Sequence, residues 1–417
     1  MALNSERDPG LDVIRRLAER VAEETAAPRY DELRHLWWKH NSLIKDRPMV
    51  LCRPVSAWAE LVPPDSLVSR DPVLRHVERH LRMKIWKIEI ADDDVIEPWV
   101  EMDAVWADPC PYHDMWGPHV ELRRTGDAGG AFTYVPAVKS DEDFDRLRVP
   151  DHRINEAETK VAEEKAAEAL DGILPLHVRR VRRGNFISLG NTASYLFGLD
   201  QLLYLMMERP QWVHRMIAFL RDAHIQYFQN AERDGLLSRN DNTTFNFLPR
   251  YVKDLPQPDF DGTHVRLKDL WAEPENQEFT VVSPAMCQEF VYQYQNPVQA
   301  LFGLNAFGCC ESHHGKWHLL RQMPNLRMVS VSPWCGLDEA VREMGDRYAL
   351  NWRVNPTNIL TAMDPAHMRE EVEEGLRVAG HTCINIVYQD IETLNGRPDH
   401  LYTWSQVTKE VAARYQS

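Results

Sequence analysis

The residues best suited to chemistry in this 417-residue chain stand together between positions 309 and 314. An apolar run of strand length, residues 301–307, is followed by four potential metal ligands: Cys309, Cys310, Glu311 and His314. Thiolates, carboxylates and imidazoles all bind zinc, and a catalytic zinc takes three protein ligands and keeps one position open. The cluster therefore predicts a zinc centre at the end of a strand. The alternative is a pair of buried core cysteines, with the acid and the histidine capping the next helix.

Charged side chains also stand near the ends of other predicted strands. The candidates for a catalytic role are Asp269, Glu273, Arg353 and Asp390. In α/β folds, chemistry gathers at the carboxyl ends of the parallel strands. The three acids are suited to act as a base or to orient a ligand histidine, and the arginine is suited to hold a carboxylate. Ordinary salt bridges are the alternative for each of them.

Aromatic and polar residues supply the candidates for substrate binding. They are Trp116, Asn191, Trp334 and Trp352. Trp116 belongs to a long irregular segment, residues 91–135, which is either a functional loop or an elaborated surface loop. Because tryptophan faces attract cations and aromatic rings, these residues predict a pocket for a ring or a quaternary ammonium group.

The elements that must position these residues alternate between short apolar runs and helical patterns. Roughly eight or nine strand candidates occur, two of them at residues 86–90 and 265–271. Helices are predicted over residues 156–170 and 210–233, among others. The alternation predicts one (β/α)8 barrel, an α/β fold, over residues 48–417, with residues 1–47 as an amino-terminal helical extension. A doubly wound open sheet is the alternative, although no GxGxxG or P-loop segment supports a nucleotide-binding version of it.

Composition limits the function classes. The chain carries 63 acidic and 48 basic residues, a formal net charge of −15, which argues against nucleic acid or an anionic membrane as the main partner. No apolar stretch approaches the roughly 18 residues of a membrane span, and no signal-peptide core begins the sequence, so we expect a cytoplasmic protein. The 7 cysteines, an odd number, predict reduced thiols rather than a disulfide framework.

Several segments resemble the uroporphyrinogen decarboxylase superfamily, in particular the branch related to corrinoid-dependent methyltransferases. They are GNFISL (184–189), LFGLDQLL (196–203), GCCE (308–311) with His314, PNLR (324–327) and SVSPW (330–334). The resemblance covers most of residues 130–410 and implies a (β/α)8 barrel. That branch holds zinc with a His-x-Cys pair at a strand end and a distant cysteine. By resemblance, Cys310 takes the place of the metal cysteine, Glu311 or His314 completes the site, and Cys383 lies in the region of the distant cysteine.

The resemblance implies a zinc-dependent methyltransferase. It would move a methyl group between a small methylated substrate (an ether, amine or thioether) and a corrinoid. Because the chain has no Asp-x-His-x-x-Gly segment for binding the corrinoid (cobalamin), a partner protein would carry it. The superfamily also suggests a homodimer.

Two other functions stay open. The first is a metal-independent decarboxylase or lyase, in which Asp269 or Asp390 stabilises the reacting centre while Arg53 or Arg353 holds a carboxylate of the substrate. Arg53 stands where the decarboxylases carry an arginine-rich segment after the first strand. The second is a barrel without catalytic activity that binds a corrinoid protein.

Overall fold

Seven strands form one parallel sheet, and two further pairs of strands lie outside it. The computed structural model describes residues 8–124, 126, 132–182, 184–244, 247–362 and 364–416. Within these residues the strands are β1 Met49–Cys52, β2 Val100–Asp103, β3 Leu122–Arg124, β4 Phe132–Tyr134, β5 Leu176–Arg179, β6 Phe186–Ile187, β7 Trp271–Pro274, β8 Leu304–Phe307, β9 Leu326–Val331, β10 Ala349–Arg353 and β11 Ile384–Tyr388.

Helices connect most of these strands. Those in the described residues are α1 Leu11–Thr25, α2 Pro28–Asn41, α3 Trp58–Leu61, α4 Pro72–Ile90, α5 Asp141–Phe144, α6 Glu156–Leu170, α7 Leu189–Phe197, α8 Leu199–Glu208, α9 Pro210–Arg233, α10 Pro284–Cys287, α11 Gln293–Gln299, α12 Trp317–Leu320, α13 Leu337–Met344, α14 Pro356–Ala362, α15 Pro365–Ala379 and α16 Asp399–Ala412. A π-helical turn, Gln288–Tyr292, joins α10 to α11. None of the helices in the described residues combines the length and the apolar character that a membrane crossing requires.

The strand order brings the first strand beside the last. The large sheet runs β1-β11-β10-β9-β8-β7-β6, and each neighbouring pair is parallel. The strands β2 and β5 form a separate parallel pair, and β3 and β4 an antiparallel one. This order is consistent with a (β/α)8-like fold, so the predicted mixed α/β class with a parallel sheet is confirmed. Closure into a complete barrel stays a prediction, because no ladder joins β1 to β6 within the described residues.

The amino-terminal segment forms the two predicted helices, α1 and α2. The apolar side chains Ile14, Ala18 and Val21 of α1 recur at helical spacing and are fully buried, in the same core cluster as Leu81 of α4. The segment is therefore packed through an amphipathic face, and the division at residue 47 stays a prediction.

The predicted strand at residues 86–90 is wrong, because α4 continues through it to Ile90. Buried Leu81, Ile85 and Ile88 recur every three or four residues, which is a helical and not a strand period. The chain then turns at Ala91, and the next acids satisfy the open edge of β1. The backbone N–H of Val50 donates to Asp93 Oδ2 at 2.8 Å, and that of Cys52 to Asp92 Oδ2 at 2.7 Å.

The predicted strand at residues 265–271 is also wrong, since β7 begins only at Trp271. A short 3-10 turn, Leu267–Asp269, precedes it. The buried Asp269 carboxylate accepts the backbone N–H of Arg266 at 3.1 Å and its Nε at 2.7 Å, and these bonds hold the turn. Asp269 therefore lies at the amino end of β7, whereas Glu273 lies within the strand.

Side chains of β10 alternate between the helix layer and the interior of the sheet, as strand geometry requires. Asn351 and Arg353 line a cavity at the carboxyl end of the sheet. Trp352 points the other way and contacts Gly375 of α15, where a Cβ atom would overlap its indole ring. The close approach of α15 to the sheet therefore depends on a glycine at this position.

We expect Gly375→Ala to destabilise the protein by about 1–3 kcal/mol, because the added methyl group overpacks the contact with Trp352. Alanine in a helix interior normally gains about 1 kcal/mol over glycine, so a loss identifies the clash. Urea unfolding of the variant measures it, with Glu374→Ala on the exposed face of α15 as the control. Equal or higher stability of Gly375→Ala would show that the indole ring moves aside without cost.

Candidate active site at the carboxyl ends of the strands

A cavity of about 180 Å³ with a mixed charged and apolar lining opens at the carboxyl ends of the parallel strands. Its charged and thiol-bearing lining residues are Arg53, Arg250, Glu273, Glu275, Cys309 and Arg353. Phe186, Phe247 and Phe307 add apolar wall. The cavity is smaller than the roughly 300–1,000 Å³ of sites for drug-sized ligands, so it suits a small molecule.

A second cavity, of about 230 Å³, lies beside α4, but most of its charged lining residues pair with one another. Lys87 pairs with Asp92 and Asp94, and Asp93 pairs with Arg47 and Lys409. Asp92 and Asp93 also accept backbone N–H groups of β1, so these ion pairs help to satisfy the edge of that strand. We therefore place the candidate active site in the cavity at the strand ends. The residues around the second cavity have a structural role in supporting β1.

Three arginines give the active-site cavity its electrostatic character. Arg250 Nη2 donates to Glu273 Oε1 at 2.7 Å, and its guanidinium stacks over the Trp271 ring at 5.2 Å. Arg53 Nη1 donates to Gln389 Oε1 at 2.7 Å. Burial and the nearby charge of Arg353 lower the pKa of Arg53 to about 10. Three arginine side chains thus line one cavity, which favours an anionic ligand.

The Cys309–Cys310 thiol pair stands at one side of this cavity. The two sulfur atoms are 3.4 Å apart, and Arg353 Nη1 lies 3.6 Å from Cys309 Sγ. The hydrogen bond from Cys310, helped by the Arg353 charge, lowers the pKa of the Cys309 thiol to about 7. The same hydrogen bond raises the pKa of Cys310. The lowered pKa favours the thiolate form of Cys309 over that of Cys310.

Local backbone geometry delivers Cys309 to this position. Gly308, directly after β8, has a φ of +104°, and a Cβ atom there would lie 3.0 Å from His313 Nε2 and 3.1 Å from Ser330 Cβ. Glycine is the residue that accepts both the left-handed conformation and the close approach. It turns the chain out of β8 so that the thiols reach the cavity.

Glu311 fastens this turn to the neighbouring strand. Its side chain is 4% exposed. One carboxylate oxygen accepts the backbone N–H of Cys309 at 2.6 Å, and the other accepts that of Asn276, just after β7, at 3.1 Å. In this arrangement Glu311 positions Cys309 rather than facing a ligand.

His314 points away from the thiols. Its side chain is 82% exposed, and its Nδ1 lies 2.9 Å from Glu339 Oε2 on α13. Of the four predicted metal ligands, the structure thus brings Cys309 and Cys310 together and turns His314 to the surface. An acid from another strand end, Asp390, places its Oδ2 3.9 Å from Cys310 Sγ.

Two thiols and a carboxylate form a chemically suitable zinc donor set. As placed, however, the set does not fit the ion, because the Arg353 guanidinium already contacts all three groups. Among the described residues, no three histidine, cysteine, aspartate or glutamate side chains are arranged to hold a metal ion. Zinc binding by Cys309, Cys310, Glu311 and His314 stays a prediction.

The remaining predicted site residues lie outside the cavity. Trp116 is buried and donates from Nε1 to Tyr195 Oη at 2.6 Å. Asn191, in the first turn of α7, donates to Glu278 Oε1 at 2.9 Å. Trp334 is 71% exposed on the loop after β9, and Trp352 packs against α15. Cys383 immediately precedes β11, at the opposite end of the strands, as the sequence indicates.

Sequence reasoning missed Arg250 and Glu275. Glu275 follows β7 directly, lines the cavity and is buried; its Oε2 accepts the N–H of Gln277 at 2.8 Å. Burial, with repulsion from Glu278 and Glu311, raises its pKa well above the usual value, which favours the protonated form. The correct bounds of β7 would have pointed to it, since it is the first acid past the strand end.

Comparison with known proteins supports the fold of the chain but does not assign it to a family. No protein-family model matches the chain, and no curated protein sequence matches it. Among solved structures, a methyltransferase from Methanosarcina mazei superposes with a TM-score of 0.51 at 10% sequence identity. The match covers 90% of this chain and 97% of that one. At this identity the likeness shows a shared fold alone, and membership of the uroporphyrinogen decarboxylase superfamily stays a prediction.

We expect Glu275→Gln to stabilise the protein at neutral pH. Because the folded-state pKa of Glu275 is raised, its protonated form favours folding below pH ~4.5, and this contribution is lost as pH rises through the folded pKa. A difference of one pH unit between the folded and unfolded pKa values is worth about 1.4 kcal/mol of folding free energy. Urea unfolding between pH 4 and 8 should show a flatter profile for the variant than for the wild type. The surface change Glu370→Gln is the control, and equal pH slopes in all three proteins would contradict the assignment.

Proposed function

We propose that the chain is a methyltransferase that acts on a small anionic methylated substrate together with a corrinoid protein. The observation that carries the proposal is the Cys309 thiol, which contacts Arg353 in an arginine-lined cavity at the strand ends. The fold shared with a methyltransferase from Methanosarcina mazei supports it. When bound, a corrinoid would accept a methyl group in its reduced form and donate one in its methylated form.

Substrate binding falls to the arginines in this proposal. Arg250 is held in place by Glu273 and by the Trp271 ring, so it offers a fixed guanidinium to an anionic group. Arg53 lies on the side of β1, held by Gln389. A planar guanidinium suits bidentate recognition of a carboxylate. The phenylalanines of the wall would contact the apolar body of the substrate.

In this proposal Cys309 and Glu275 transfer protons to or from the substrate. The heteroatom that loses its methyl group gains negative charge, and protonation makes it a better leaving group. A group with a pKa of about 7 can release or take up a proton at neutral pH, as Cys309 can. Buried Glu275 lines the same cavity, and its raised pKa favours the protonated form that donates a proton.

The partner would approach the face that carries the strand ends. Val55, Val281 and Trp334 are exposed on the loops after β1, β7 and β9. They offer apolar contact area around the cavity mouth, which is what a docking protein requires.

A decarboxylase or lyase is the second candidate, and the three arginines favour it specifically. Arg53, Arg250 and Arg353 all line one cavity, as recognition of a substrate with more than one carboxylate would require. Glu275 would then protonate the carbanion left after loss of carbon dioxide. The two candidates differ in product: one releases a demethylated compound and the other carbon dioxide.

We expect Cys309→Ser to lower kcat for methyl transfer by about 10²–10⁴-fold, because general acid–base catalysis supplies that factor. The assay follows demethylation of methylated carboxylates by mass spectrometry, with free cob(I)alamin as acceptor. Cys383→Ser, a thiol at the opposite end of the strands, is the control. Unchanged kcat in Cys309→Ser would remove the thiolate from the reaction, and carbon dioxide release would favour the lyase.

We expect Arg250→Gln to raise KM for the anionic substrate about 10–100-fold with a smaller effect on kcat. Loss of a charge-assisted hydrogen bond costs about 1.5–3 kcal/mol in binding. An esterified, neutral substrate should be insensitive to the change. An equal effect on charged and neutral substrates would show that Arg250 acts only through the structure of the cavity.

A further inference from the structure

One guanidinium nitrogen lies among three groups that normally bind metals. Arg353 Nη1 lies 3.4 Å from Asp390 Oδ2, 3.5 Å from Cys310 Sγ and 3.6 Å from Cys309 Sγ. The three groups come from two segments, the turn after β8 and the residue pair after β11. They converge on Arg353 at the end of β10, between those strands in the sheet.

The spacing of the sulfur atoms is close to that of a metal site. Zinc–sulfur bonds are about 2.3 Å long and zinc is tetrahedral, so two thiolates on one ion stand about 3.8 Å apart. Here the sulfur atoms are 3.4 Å apart. A small adjustment of side-chain torsions would let the thiols share one ion, with Asp390 as the third ligand.

The Arg353 guanidinium and a zinc ion bound by the two thiols would occupy the same space. An ion bonded to both sulfur atoms and to Asp390 would lie in the space that Arg353 Nη1 faces. Two cations a few ångströms apart in a partly desolvated site repel each other strongly. Arg353 is only 6% exposed, and its backbone is fixed in β10 by pairing with β11, so it has little freedom to leave.

The other predicted ligands would not offset this competition. Both oxygens of Glu311 accept backbone N–H groups, and His314 is turned to α13. A metal ion would therefore have to displace Arg353 from its three contacts without gaining a fourth protein ligand from these residues.

We infer that the Arg353 guanidinium takes the place of a metal ion in the Cys309–Cys310–Asp390 cluster, so that the arginine and a thiophilic divalent cation exclude each other. The wild-type cluster is then balanced by an internal cation. Removal of that cation turns the cluster into a zinc site. The inference concerns the cation and stands whether the reaction is methyl transfer or decarboxylation.

Zinc titration against a chromophoric chelator tests this on the full chain. We expect Arg353→Met, which keeps length without charge, to bind one zinc per chain at least 10-fold more tightly than the wild type. Arg353→Lys keeps a cation and should bind as weakly as the wild type. Adding Cys310→Ser to Arg353→Met should abolish the gain, which separates this cluster from the chain's other thiols. Co²⁺ should show thiolate charge-transfer bands in Arg353→Met alone.

Wild-type protein that binds one zinc per chain as tightly as Arg353→Met would overturn the inference, and so would a folded Arg353→Met that gains no affinity. Circular dichroism checks folding, and Arg353→Gln replaces the methionine variant if that one does not fold. The readout is independent of catalysis. A gain of zinc affinity without methyl transfer in the wild type would reject the proposed function and retain the inference.

Discussion

The buried Glu311 carboxylate is the contact on which the geometry of the active site depends. It joins the turn after β8 to the turn after β7 by accepting one backbone N–H from each. A buried carboxylate without partners would cost several kcal/mol, whereas one held by two N–H groups is compensated. The same contact fixes Cys309 on one turn and the segment that carries Glu275 on the other. Two cavity residues from different strands thereby share one anchor.

Charge balance in the cavity follows from this frame. Glu273 neutralises Arg250, and Asp390 and the thiols face Arg353. Burial, together with the acidic neighbours Glu278 and Glu311, raises the pKa of Glu275 and so favours its neutral form. The acids thus either pair with an arginine or remain neutral. Burial and the nearby charge of Arg353 lower the pKa of Arg53, the third arginine of the cavity. Anion recognition and proton donation are therefore consequences of one distribution of charge.

The elements with strong local patterns could be predicted from the sequence. The helices Glu156–Leu170 and Pro210–Arg233 have the predicted bounds, because the first has an Asn155 cap and the second a proline at its first position. The bounds of β7 could not be predicted. Side-chain hydrogen bonds between Arg266 and Asp269 hold a turn in a sequence that otherwise resembles a strand. The strand was therefore predicted too early in the chain, and Glu275 was not recognised as the acid that follows it.

The site could be predicted only in part. The thiols and Asp390 were identified because they follow strands, and Arg353 because it ends one. The prediction that Trp352 and Arg353 share a site conflicts with strand alternation, since neighbouring residues point to opposite faces. The orientation of His314 depends on its pairing with Glu339, 25 residues further along the chain. The sequence does not reveal this pairing, because it depends on the position of α13 relative to the turn after β8.

The contrast between the acidic exterior and the basic cavity has a kinetic consequence. With a formal net charge of −15, the molecule repels an anionic ligand at long range, while the cavity attracts it at short range. At 0.1 M ionic strength the Debye length is about 10 Å, so added salt screens the distant repulsion more than the contact inside the cavity. Association of an anion should therefore become faster as ionic strength rises from low values, the reverse of the behaviour of a protein that steers its ligand electrostatically.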